Sequence, residues 1–105
     1  MSKIGVAISG GPGPAEIVDL VVLAEHLGYD SAWIAEGHGG DQFAILAACA
    51  VRTSRIRLGT AISILTFHDP RRIAETYSML DMMSGGRLVF GVGSGYLAHE
   101  FVGYD

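Results

Sequence analysis

The chain has 105 residues, half of them hydrophobic and 17% charged, a balance that excludes a disordered chain and leaves room for one small domain. Its net charge of −4 offers no basic footprint for nucleic acid or an anionic membrane surface. No apolar run is long enough to span a bilayer, the opening MSKIGVAIS lacks the core of a signal peptide, and Cys49 has no cysteine to pair with. The expectation is a cytoplasmic chain in which Cys49 is a small buried hydrophobe.

In chain order, Lys3 to Ser9 is a short apolar run that ends in Gly10-Gly11-Pro12-Gly13-Pro14, a stiff turn. This is strand one and its exit loop. Pro14 suits the first turn of helix one, whose inward stripe reads Ile17, Leu20, Val21, Ala24 and Leu27, with Gly28 ending it. Asp30 to Ala35 is strand two, and it delivers Glu36-Gly37-His38-Gly39-Gly40 into a loop. Asp41 caps helix two, apolar almost all round through Phe43, Ile45, Leu46, Ala47 and Val51, so neighbours should cover it on several sides.

Leu58 to Leu65 is a continuous apolar run, the pattern of a parallel strand covered on both faces. Asp69-Pro70 opens helix three, with His68 read as part of that helix start. Ile73, Tyr77 and Leu80 mark the inward face, and Ser84-Gly85-Gly86 stops the helix. Arg87 to Val92 is strand four, which runs into Gly91-Val92-Gly93-Ser94-Gly95.

Four strands alternate strictly with three helices, which predicts a parallel sheet. An open doubly wound sheet and part of a (β/α)8 barrel both satisfy that rhythm. A full barrel needs about 250 residues, so this chain would hold the N-terminal half, residues 1–105 forming one partial domain. Ser9, Glu36, His38, Thr66, His68, Ser94 and Tyr96 all follow a strand's C-terminal end, the rim where α/β folds bind ligands. Glu36 and His38 are one residue apart; imidazole titrates near neutrality and can move a proton, although a surface histidine that only hydrogen-bonds is the plainer reading. The Gly91–Gly95 run can let a ring or phosphate approach bare backbone. No spacing of histidine, cysteine and carboxylate suggests a metal site.

The segments EHLGYDSAW (25–33), RLGTA (57–61), Asp69-Pro70, LDMMSGGRL (80–88) and GVGSGY (91–96) together resemble the bacterial luciferase-like monooxygenases, in order and spacing along nearly the whole chain. The resemblance implies a TIM barrel of which these are the first four strands. It also implies reduced FMN, or a deazaflavin coenzyme in one branch, at the C-terminal rim. Carried over by position, the flavin ring lies against Ala61, Ile62 and Ser63, with a non-prolyl cis peptide matching Ala61-Ile62. Gly93, Ser94, Gly95 and Tyr96 lie toward the ribityl phosphate, and His38 with Glu36 takes the polar or acid/base part. Luciferases carry a reactive cysteine where this chain has Gly93, which argues against light emission, and a phosphate-side arginine where it has Ser94. The implied activity is a flavin-dependent monooxygenase acting on a small organic substrate with molecular oxygen. The alternatives are deazaflavin-dependent hydride transfer, or a non-catalytic half-barrel that self-associates as a homodimer or joins the remaining half of a barrel.

Overall fold

The computed structural model describes residues 3–9, 11–36 and 41–94. Its elements are β1 (Gly5–Ile8), α1 (Pro14–His26), β2 (Ser31–Ile34), α2 (Gln42–Arg52), β3 (Arg57–Thr60), β4 (Ser63–Ile64), a 3₁₀ turn (Leu65–Phe67), α3 (Pro70–Ser84), β5 (Leu88–Val89) and β6 (Val92–Gly93). One sheet runs β1-β2-β3-β5 and a second pairs β4 with β6; every pairing is parallel. This is the N-terminal half of a TIM barrel, four strand positions joined by three helices.

The capping residues act as their chemistry requires. Asp41 accepts from the N–H groups of Phe43 (2.9 Å) and Ala44 (3.4 Å), and Asp69 accepts from Arg71 N–H at 2.8 Å with Pro70 beginning the helix. Gly85, at φ 67°, closes α3 in the left-handed conformation, where a side chain would be strained.

Three expectations need correction. The stripe of α1 is rotated from the one expected: Ile17, Val18, Val21 and Ala24 are buried, whereas Leu20 is 41% and Leu27 67% exposed. α2 packs against α1, and Ile17, Val18, Val21 and Ala24 join the core shared by α2 and the sheet, so Val18 replaces Leu20 in the buried stripe. The run from Leu58 to Leu65 is not one strand. It breaks after Thr60, re-forms as β4, then coils into the 3₁₀ turn. Strand four breaks likewise between β5 and β6. At this break side chains take over ladder partners: the Thr60 hydroxyl donates to Gly91 O (2.7 Å) and accepts from Gly91 N–H (2.8 Å). Hydropathy carries no trace of such a substitution.

Ile8, Ala32, Ile34 and Leu58 on the helix-facing side pack with Ile17, Val21, Ile45, Leu46, Cys49 and Leu80 into one core. α2 sits centrally, against α1, α3 and β3. On the opposite face, which a complete barrel turns inward, the Trp33 indole spans neighbouring strands above Gly5 and Gly59.

At the N-terminal ends of the strands two side chains tie the elements together. Arg87 donates to Ser84 O (2.6 Å), Thr53 Oγ1 (2.9 Å), Ile56 O (2.9 Å), Ala50 O (3.0 Å) and Thr53 O (3.1 Å), which engages all five guanidinium N–H groups. Glu25 accepts from the backbone N–H groups of Ser54 (3.0 Å), Arg55 (2.7 Å) and Ile56 (2.9 Å). These bonds join α1, the end of α2, the start of β3 and the end of α3.

Candidate functional site

Because all strands are parallel, their C-terminal ends open on one side. There β2 passes through Ala35 to Glu36, β3 reaches Thr60 and the Ala61-Ile62 peptide, which is cis, and β5 leads through Gly91 to β6 and Ser94. Three hydrogen-bonded side chains from α2, α3 and the β2 loop converge on the turn between β3 and β4.

Gln42, in the first turn of α2 and only 2% exposed, is the first. Its Nε2 donates to Ile34 O (2.7 Å) and Ile62 O (3.3 Å), and its Oε1 accepts from the Ser63 hydroxyl at 2.7 Å. A buried amide is tolerated because both of its ends are satisfied. Glu36 is the second. Its Oε1 accepts from Ile64 N–H at 2.7 Å, and both carboxylate oxygens face His68 Nε2, at 3.0 and 2.6 Å. His68 in turn lies 5.2 Å from the Phe43 ring.

Tyr77 of α3 is the third. Its hydroxyl donates to Thr60 Oγ1 at 2.9 Å, which fills the last acceptor position of a hydroxyl already engaged twice by Gly91. Its ring lies against Phe90, with centroids 3.7 Å apart. Burial, reinforced by the nearby Glu36 charge, pushes the Tyr77 phenol up, against a smaller downward pull from the Thr60 and Ser63 hydroxyls.

Ala61 and Ile62 are exposed at this mouth. Ser63 is fully buried; its hydroxyl goes to Gln42 and its N–H to Gly91 O at 2.8 Å, so it supports the turn from behind. Gly93 leaves room that a Cβ would take from the Ile62 side chain, and Ser94 is exposed beside it. His38, Gly95 and Tyr96 lie outside the described residues. An exposed Ala-Ile pair whose isoleucine side chain lies over Gly93 is an accessible apolar surface, which suits contact with the face of a planar ring. Among the described residues no cluster of histidine, cysteine and carboxylate can hold a metal ion, and no helix is long and apolar enough to cross a membrane.

Sequence reasoning placed Glu36 and His68 at this rim but missed Gln42 and Thr60, and gave His68 a part in the start of α3 rather than a contact with Glu36. His68 does precede the Asp69 cap, yet its ring turns to Glu36. A glutamine opening an otherwise apolar helix was the one available signal for a polar group held in the interior.

The sequence model for the luciferase-like monooxygenases matches residues 1–105, and the chain belongs to that family. Among its relatives is an F420-dependent glucose-6-phosphate dehydrogenase of Amycolatopsis mediterranei, 34% identical over 111 residues, covering 95% of this chain and 33% of the relative. The crystal structure of monooxygenase RslO1 from Streptomyces bottropensis superposes with a TM-score of 0.87 at 33% identity, over 97% of this chain and 36% of that one. The oxygenating constituent of 3,6-diketocamphane monooxygenase from Pseudomonas putida, solved in complex with FMN, gives a TM-score of 0.88 over 97% of this chain and 32% of that one; at 20% identity this is a likeness of fold. The chain thus spans about a third of the length of these proteins. Monooxygenases and F420-dependent oxidoreductases both occur among the relatives and structural neighbours.

Proposed function

We propose that the chain carries the strand-one-to-four share of the active site of a flavin-dependent monooxygenase, using reduced FMN and molecular oxygen on a small organic substrate. The exposed Ala61-Ile62 platform, held from behind by Gln42, Glu36 and Thr60, is the observation that supports it. The ring rests on Ala61, Ile62 and the Ser63 backbone, and Gly93, Ser94, Gly95 and Tyr96 take the ribityl phosphate side. His38 is the group that moves a proton, and Glu36 holds the turn in place. When bound, reduced FMN supplies the electrons that activate oxygen; the protein's part is to orient the ring and keep water from it. Titration of the chain with FMN and with F420, followed by flavin fluorescence, tests this. Saturable FMN binding that Ile62→Asp abolishes is expected; binding of neither cofactor refutes the assignment.

A second reading, deazaflavin-dependent hydride transfer, is favoured by the F420-dependent glucose-6-phosphate dehydrogenases among the relatives. Preferential F420 binding in the same titration would select it. A third, a non-catalytic half-barrel that pairs with another copy or with the remainder of a barrel, is favoured by exposed Leu20 and Leu23 on α1, Leu27 just beyond it, and Met79, Met82 and Met83 on α3. Gel filtration showing a dimer without flavin affinity would select that one.

A further inference from the structure

Resting on the flavin reading above, we propose that His68 is a positioning residue for the cofactor-bearing turn, acting through Glu36 on the backbone amide of Ile64. The Glu36 side chain is 10% exposed and that of His68 25%. A carboxylate so sheltered from water needs hydrogen-bond donors, and His68 Nε2 reaches both of its oxygens. With that partner in place, Oε1 is aimed at Ile64 N–H. Without it, Glu36 turns outward to solvent and the amide loses its acceptor.

Ile64 lies two residues beyond the Ala61-Ile62 peptide, so its amide fixes the far end of the platform. Gln42 fixes the near end through Ile62 O and the Ser63 hydroxyl. His68 is itself held in place: its backbone N–H closes the 3₁₀ turn onto Leu65 O at 3.1 Å, and Phe43 lies against its ring at an interplanar angle of 58°. The resulting chain of contacts runs from Phe43 to His68, to Glu36, to Ile64 at the end of the platform. His68 acts through Glu36 and so determines where the platform stands.

The test reads two quantities in the full chain: amide hydrogen exchange at Ile64 without cofactor, and the dissociation constant and visible spectrum of added FMN or F420. His68→Leu is expected to speed Ile64 exchange at least tenfold while Ala32 and Ile34 in β2 stay unchanged. It should also weaken cofactor binding at least tenfold and shift the bound spectrum. His68→Gln, which keeps a side-chain N–H at similar reach, should restore both quantities to within threefold of the parent. Unchanged Ile64 exchange overturns the proposal, and so does faster exchange with unaltered affinity and spectrum. If His68→Leu does not fold, His68→Asn, polar but too short to reach Glu36, carries the same expectations and overturns the proposal by behaving as the parent. A parent chain that binds neither cofactor removes the flavin reading instead, and the exchange arm still reports separately on the His68–Glu36–Ile64 link.

Discussion

The Trp33 indole lies so close over Gly59 that a Cβ on Gly59 would overlap its Cε3 and Cζ3 atoms and stand 3.1 Å from Cδ2. Trp33 and Gly59 are register partners on adjacent parallel strands, so the large ring has a place only because its neighbour has no side chain. Gly59→Ala should destabilise the chain by about 1–3 kcal/mol through overpacking, read as a lower urea midpoint. Trp33→Leu in the same background should recover part of the loss, because the clash partner is then gone.

Arg87→Met keeps the length of the side chain but removes five donors, leaving four carbonyls and the Thr53 hydroxyl without them. A loss of about 3 kcal/mol or more is expected, measured by chemical denaturation. Arg87→Lys should recover little, since an ammonium group cannot reproduce the planar fork.

Burial pushes the Cys49 thiol up to about 11, only partly countered by the Arg52 charge. An unfolded thiol ionises near about 8.5, so above that pH the unfolded chain sheds a proton that the folded one keeps. Stability is therefore complete below that value and declines as pH rises toward 11, by roughly 3 kcal/mol in all. Comparing the alkaline slope of denaturation with that of Cys49→Ala checks this: the variant should lose the Cys49 share of the slope. In the native chain the thiol should resist alkylation at neutral pH.

For Glu25, burial acts to raise the carboxyl's pKa, but the N–H groups of Ile56, Arg55 and Ser54 together with the Arg55 charge outweigh it and hold it below the ordinary carboxylate value. The folded state then favours the ionised form. Its contribution is present above the ordinary value and is lost as pH falls through the depressed one. Glu25→Gln should flatten the acid limb of a stability-against-pH curve, whereas Glu25→Ala should cost about 1–2 kcal/mol at neutral pH by orphaning the three amides.

The frame was readable because its signals are local. Asp41 and Asp69 announce helix starts, Gly85 announces a helix end, and the apolar runs announce strands packed under helices. Glu36 could be placed at the rim from its position after β2 alone. What could not be read were contacts between residues far apart in the chain. Gln42 with Ser63, Glu36 with His68, and Thr60 with Tyr77 are separated by 21, 32 and 17 positions. Periodicity reports which face a residue occupies and says nothing about which distant polar group it will meet. The break after Thr60 was hidden for the same reason, since Ala61 through Leu65 are as apolar as the strand before them.

Arg87 and Glu25 fasten the floor of the structure, at the opposite end of the strands from Ala61, Ile62 and Ser94. Mutations at the mouth therefore leave the main fastenings untouched. The residues at the upper rim can be exchanged while the bonds at the foundation go on assembling the chain.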